Sequence, residues 1–317
     1  MSENYFHEDL IKALGEEPTL DERAKRAVMM NLARLRETKV NILITGATGS
    51  GKSSTINALF NSDKAKVGQG VDPETMDITK YELANIVLFD SPGLGDGIEA
   101  DRRHAKNIID KLHETGADGE LLIDLVLVIL DGSSRDLGTS FELVNDVIIP
   151  NLGDDKTRLL VAINQADQAM KGRYWNHKPN QPEPELVKFL DEKIESTKRR
   201  IKEATSVDVE LIYYSAGYKD KNEQQQPYNL SKLLVFILRH TKKEKRIAFA
   251  GDINTDRKVW AHDDGRENYR AEIKKSFLES VRDGAATGAA IGSVLGPIGT
   301  EVGLVIGAIF GAIFSIL

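Results

Sequence analysis

The sequence predicts a three-layer α/β domain with a mostly parallel central sheet, flanked by a helical lead-in and a helical C-terminal extension. Three observations carry that expectation. Short apolar, β-branched runs alternate with helical spacings across residues 40–240. The first run, 40–45, opens directly into a glycine-rich loop and then a helical segment. The longest apolar run, 121–130, is too short to cross a bilayer and reads as a central strand.

Taken in order, residues 1–39 form a lead-in. Leu20, Ala24, Ala27, Val28, Leu32 and Leu35 share one side at helical spacing, so 20–38 reads as an amphipathic helix beside the main domain. Residues 40–45 suit a buried parallel strand, followed by a helix at 53–60. Strands are expected at 78–82 and 86–90, antiparallel neighbours joined by a tight turn near Ala84 and Asn85. A helix follows at 101–113, the central strand at 121–130, and a helix at 140–148. Further strands are expected at 158–163 and 209–213, with helices at 185–203 and 230–239. Residues 170–184 hold two aromatics, three prolines and little periodicity, and read as a long loop. Residues 241–283 are a charged helical extension whose last part, 267–283, is amphipathic; 284–317 is a glycine-rich apolar tail.

Composition narrows the function classes. Charged residues make up 29% and hydrophobic ones 41%, as in soluble folded domains. The net charge of -7 gives no nucleic-acid footprint, and with no cysteine there is no disulfide, thiolate metal site or thiol nucleophile. The first ten residues lack a basic stretch followed by an apolar run, so a cytoplasmic protein is expected.

Gly46-Ala47-Thr48-Gly49-Ser50-Gly51-Lys52-Ser53 matches the phosphate-binding pattern G-x-x-x-x-G-K-[ST] between a strand and a helix. Glycines let the backbone close on phosphate, and the helix N-terminus adds its dipole. Lys52 is expected to reach the β- and γ-phosphates, and the Ser53 hydroxyl to ligate Mg²⁺. Asp90-Ser91-Pro92-Gly93 ends the next strand; Asp90 is expected to hold the Mg²⁺ water shell and the Gly93 N–H to sense the γ-phosphate. Thr75, between the two motifs, is expected to offer its hydroxyl to Mg²⁺ when triphosphate is bound, with Thr79 as its rival. Gly68 and Gly70 upstream would let that linker move.

After the strand at 158–163 stands Asn164-Gln165-Ala166-Asp167. With this motif in place, residues 36–240 resemble Era-like P-loop GTPases of the translation-factor-related class, and most of all the bacterial GTPases described as 50S ribosome-binding or HSR1-related. The resemblance rests on the loop Gly46–Ser54, the run Ile56-Asn57-Ala58-Leu59-Phe60, Thr75, the Asp90–Gly93 turn, Asn164–Asp167 and Tyr214-Ser215-Ala216. It implies that Asp167 accepts hydrogen bonds from the guanine N1–H and 2-amino group, a donor pair that adenine lacks. It also implies that Asn164 braces the loop, that the Ala216 N–H, beside Ser215, meets guanine O6, and that Gln165 replaces a lysine whose stem covers the base. Leu94 stands where many small GTPases carry a water-orienting glutamine, and Gly49 where some relatives carry a potassium-binding asparagine. Slow turnover of GTP to GDP, stimulated by dimerisation or a partner, is the expectation.

Glycines recur at Gly284, Gly288, Gly292 and Gly296, then at Gly299, Gly303, Gly307 and Gly311, with Glu301 the only charge from 284 to 317. A four-residue spacing puts each set on one helical face and permits close helix contact, and Gly296-Pro297 suggests a hairpin. Each arm of about 16 residues falls short of an ordinary span of roughly 20. Three fates stay open: peripheral or tail-anchored membrane attachment at the inner face, packing on the protein itself or in a homo-oligomer, or no ordered packing. The sequence therefore leaves three functions: a guanine-nucleotide switch coupled to membrane association or self-assembly, a ribosome- or RNA-associated assembly GTPase, and a nucleotide-binding scaffold with negligible hydrolysis. No recognisable RNA-binding module supports the second.

Overall fold

The computed structural model describes residues 38–60, 66–68, 78–219 and 224–286. The helix expected at 20–38, Thr75, Gly70 and the tail beyond 286 lie outside them. Strand β1 (Val40–Gly46) leads through the glycine-rich loop into helix α1 (Lys52–Leu59). Strands β2 (Lys66–Gly68), β3 (Thr79–Glu82) and β4 (Ile86–Asp90) follow, then helix α2 (Ile98–His113) and strand β5 (Leu125–Asp131). Helix α3 begins at Gly138–Glu142, widens to a π-helical stretch at Leu143–Ile148 and closes at Ile149–Asn151. The widening precedes Pro150, which has no N–H to return to the preceding turn. Strand β6 (Leu159–Asn164), helix α4 (Pro184–Thr205), strand β7 (Leu211–Tyr213), helix α5 (Leu230–His240) and helix α6 (Tyr269–Ala286) complete the main elements.

The sheet has seven strands in the order β2-β3-β4-β1-β5-β6-β7. The five from β4 to β7 are parallel and the two at the β2 edge antiparallel. Side chains alternate across it, so each buried strand feeds two cores. Ile42, Ile44, Leu88, Leu127 and Ile129 face one, shared with α1, α5 and α6. Leu43, Val87, Phe89, Val126 and Val128 face the other, shared with α2, α3 and α4.

Several expected boundaries shift for local reasons. The central strand starts at Leu125 rather than 121, because Leu121 bridges back to Thr115 and Asp124 turns its carboxylate to the Asn41 N–H (2.9 Å). The next strand starts at Leu159, since the Arg158 guanidinium is drawn inward to donate to Ile123 O (2.7 Å) and Leu152 O (3.0 Å). Gly68, expected in a moving linker, sits in edge strand β2 opposite Lys80. The loop at 170–184 contains a small antiparallel ladder, Trp175–Asn176 against Gln181–Pro182.

The charged extension is packed into the first core. Ile247, Phe249, Trp260, Tyr269, Ile273 and Phe277 are all buried there with the sheet residues. Asp252 accepts from three consecutive backbone N–H groups of the β3–β4 turn: Ala84 (3.2 Å), Asn85 (2.7 Å) and Ile86 (2.8 Å). Asn254 closes the end of α1, its N–H donating to Leu59 O (2.8 Å) and its amide to Asn57 O (3.2 Å) and Ala58 O (3.1 Å). Replacing Asp252 by alanine strands buried donors at that turn. Asp252→Ala is expected to lower the unfolding free energy by about 2–3 kcal/mol in urea titration; an unchanged midpoint would mean the extension is only loosely attached.

Candidate functional site

The phosphate-binding loop takes a shape that few residues tolerate. Gly51 has φ +88°, and an added Cβ there would fall inside the Asn164 side-chain amide. Gly93 sits so close to the backbone of Gly46, Ala47 and Thr48 that a Cβ would overlap it. These two glycines explain why loop, turn and base motif approach one another without side chains between them. Gly49 also has positive φ, Gly46 and Ser50 are buried, and Ser53 and Ser54 are exposed in the first turn of α1. The Thr55 hydroxyl donates to Gly51 O (2.8 Å) and meets the Tyr214 hydroxyl (2.7 Å) beneath the loop.

Lys52 curls over the loop, donating to Gly46 O (3.1 Å) and Ala47 O (3.2 Å). Burial pushes its ammonium below the ordinary lysine range, and Asp90 and Asp96 oppose the shift. Asp90 ends β4, paired in register with Ile44 of β1, which brings it beside the loop. Burial raises its carboxyl to about 6, with Lys52 pulling the other way. Asp90 Oδ1 is buried and has no hydrogen-bond partner among the described residues. The orphaned Asp90 oxygen at the end of β4 and the Ser53 hydroxyl in the first turn of α1 are hard oxygen donors of the kind Mg²⁺ takes.

The base motif lies at the far side of the loop. Asn164, at the end of β6, donates from Nδ2 to Ser50 O (2.9 Å) and accepts at Oδ1 from the Ala216 N–H (2.9 Å). The Ala216 N–H, expected to face guanine O6, is thus engaged by Asn164. Gln165 has φ +57° and donates from Nε2 to Gly49 O (2.7 Å), so its amide lies along the loop. Asp167 is buried, with Gln168 donating to its Oδ2 (2.6 Å). Ser215 pairs with Tyr228 through two backbone bonds, and its Oγ accepts from the Gly217 N–H (3.2 Å).

Three supporting groups escaped the sequence. His104 on α2 is buried with Nδ1 3.1 Å from Gly93 O. Lys193 on α4 donates to Gly132 O and Ser134 O, both at 2.7 Å, fixing the loop whose Gly132 N–H donates to Asn164 O (2.8 Å). Asp96 accepts from the Thr48 hydroxyl (3.2 Å). None of these stands in a recognisable spacing, because each pairs with a position tens of residues away or with a carbonyl.

Asp90 makes the site sensitive to acidity in a definite direction. A carboxyl raised from 3.8 to about 6 binds its proton more tightly in the folded chain than in the unfolded one. Stability conferred by that proton is lost as pH rises between those values and stays absent above 6. Asp90→Asn, without added Mg²⁺ or nucleotide, is therefore expected to gain on the order of 1–3 kcal/mol at pH 7. It should also flatten the stability profile between pH 4 and 6. Thermal melts in which the variant is less stable at pH 7 would contradict the assigned strain.

Residues 41–165 match a family model described as 50S ribosome-binding GTPase. Interferon-inducible GTPase 1 of Mus musculus is 36% identical over 75 residues, covering 22% of this chain and 18% of that protein. Dynamin-like protein 1 of Campylobacter jejuni is 33% identical over 104 residues, covering 31% of this chain and 14% of that protein. Each match thus spans less than a fifth of the relative's length. Toc33 from Arabidopsis thaliana, solved with Mg²⁺ and GMPPNP, is 15% identical with a TM-score of 0.39, over 68% of this chain and 87% of that one. The bacterial dynamin GTPase LeoA from ETEC is 12% identical with a TM-score of 0.41, over 95% of this chain and 47% of that one. The family match spans the phosphate loop, the Asp90–Gly93 turn and the start of the base motif, and the chain has the α/β fold of P-loop GTPases, with a mostly parallel central sheet.

Proposed function

We propose that this chain is a guanine-nucleotide switch with slow, Mg²⁺-dependent hydrolysis of GTP to GDP, coupled to membrane association or self-assembly. One observation carries the nucleotide half: the Asn164 amide joins the phosphate loop at Ser50 to the base loop at Ala216, leaving Asp167 two residues beyond Gln165. A carboxylate at that position in the base loop suits guanine, because among the common bases guanine offers it N1–H and the 2-amino group as adjacent donors. Lys52 supplies positive charge to the β- and γ-phosphates, and Ser53, Asp90 and Thr75 would hold Mg²⁺. The metal, when bound, neutralises phosphate charge and orients the terminal group. Gly93 offers its N–H to the γ-phosphate.

Slow turnover follows from Leu94. It is a buried aliphatic side chain where an amide would orient water, so it offers the nucleophile no hydrogen bond. Together with the Ile56–Phe60 run, it is the basis for an Era-like placement.

The membrane or assembly half rests on the two glycine ladders between Gly284 and Gly311. Among the described residues no helix is long and apolar enough to cross a membrane. A ribosome-associated role is the second reading, favoured by the description of the matching family. The net charge of -7 weighs against a contact with RNA phosphates.

Lys52→Ala is expected to reduce GDP and GTP affinity at least 100-fold in calorimetric titration, and Asp167→Asn to shift preference from guanine toward xanthine nucleotides. Unchanged affinity in the first variant, or a wild-type preference for ATP, would overturn the nucleotide assignment. For the tail, a chain stopped after Ala286 should bind GTP as the full chain does, while only the full chain floats with liposomes or forms oligomers. Full chain that stays monomeric, ignores liposomes and sediments with ribosomes would favour the second reading.

A further inference from the structure

The two ends of the phosphate loop meet different partners. Its later part, Gly49 to Gly51, touches Asn164 and Gln165 of the base motif. Its earlier part, Gly46 to Thr48, is covered by the segment after Asp90: Gly93 lies against the Gly46–Thr48 backbone, and the Thr48 N–H donates to Leu94 O (3.3 Å). A nucleotide whose base is held at the first end directs its terminal phosphate toward the second.

At that second end stands a carboxylate. Asp96 Oδ1 accepts from the Thr48 hydroxyl at 3.2 Å. Its position is preset from behind, because Asp101 of α2 accepts from the backbone N–H groups of Gly95 (2.8 Å) and Asp96 (3.2 Å). His104 of the same helix holds Gly93 O. The segment 93–96 is therefore clasped between the loop and α2, and the Asp96 charge is close enough to act on the Lys52 ammonium.

We propose that Asp96 sets the preference between nucleoside diphosphate and triphosphate by presenting a negative charge where the terminal phosphate must enter. The inference rests on the guanine-nucleotide reading above. A diphosphate ends short of the clasp and leaves the Thr48–Asp96 bond intact. A triphosphate brings like charge against Asp96, so binding must break that bond and turn the carboxylate outward. Gly95 and Gly97 flank it at φ +118° and +110° with open space around them, which leaves room for that rotation. Opening the clasp thus becomes part of the triphosphate response, and the loss of affinity is confined to the ligand with the third phosphate.

The test uses the full chain with Mg²⁺ and compares GDP with GTPγS by calorimetry in three variants. Asp96→Asn keeps a hydrogen-bonding side chain without the charge and is expected to raise GTPγS affinity at least 10-fold while GDP affinity stays within 3-fold. Asp96→Ser should do the same. Thr48→Val removes the hydroxyl, and with it the bond that triphosphate must break, but leaves the charge, so it should raise the GTPγS-to-GDP ratio by clearly less than Asp96→Asn does. The proposal is overturned if Asp96→Asn leaves the ratio unchanged or lowers it, or if Thr48→Val matches its effect. Wild-type protein that binds neither nucleotide would instead sink the reading on which the proposal rests, a result recognisable before any variant is made.

Discussion

The side-chain amide of Asn164 is the contact on which the site depends. It stands at the C-terminal end of β6, where a parallel sheet releases its strands toward one edge, and it spends both ends of its amide on backbone. One end takes Ser50 O of the phosphate loop and the other the Ala216 N–H after β7. Three loops from three strands are thereby held by a single planar group. Its backbone carbonyl adds a fourth, accepting from the Gly132 N–H after β5. Gly51 and Gly132 have no side chain for the same reason: a Cβ on either would occupy space held by Asn164. The glycine at position 51 thus serves packing against the base motif as well as the positive φ of the loop.

Such an arrangement stores electrostatic cost. Lys52 and Asp90 are both taken out of water, and burial moves each toward its neutral form. Buried Asp90 Oδ1, Ser50 Oγ and Thr45 Oγ1 all lack hydrogen-bond partners among the described residues. A sheet optimised for stability alone would not place these groups together. Desolvation gathered at the end of β4, beside the loop, is what the proposed binding of nucleotide phosphate with Mg²⁺ would relieve.

The order of strands and helices was legible in the sequence because each parallel strand, buried on both faces, is a near-continuous apolar run, as in Leu125–Leu130 and Leu159–Ile163. The phosphate and base motifs were legible because their chemistry is local: the participating residues follow one another. What was not legible is long-range. His104 touches Gly93, Asp96 touches Thr48, and Lys193 reaches the loop after β5, and none of these pairings leaves a period or spacing to find. Strand boundaries failed where one charged side chain outweighed apolar composition, as Asp124 and Arg158 do at the starts of β5 and β6. Edge strand β2 escaped for a different reason: its residues, Lys66-Val67-Gly68, carry little apolar signal, and only pairing with β3 defines them.

The charged extension illustrates the same limit at a larger scale. Its composition reads as a solvated appendage, yet its aromatic residues fill the core beneath β1. Phe249 stacks near Phe60 at the end of α1, with ring centroids 6.4 Å apart. Asn254 occupies the last carbonyls of that helix, while the helix N-terminus faces the phosphate loop. Asp252 fixes the turn between β3 and β4, and β4 ends at Asp90. The Ile247 N–H donates to Ser280 Oγ on α6 (3.1 Å), which locks the start of the extension to the helix that leads into the tail. Because these contacts are short and buried, α6 has a fixed relation to α1 and β4 rather than a tethered one. Helix α6, as far as Ser280, is therefore built on the same packed core as α1, whose loop end and capped end are separated by only the eight residues Lys52–Leu59.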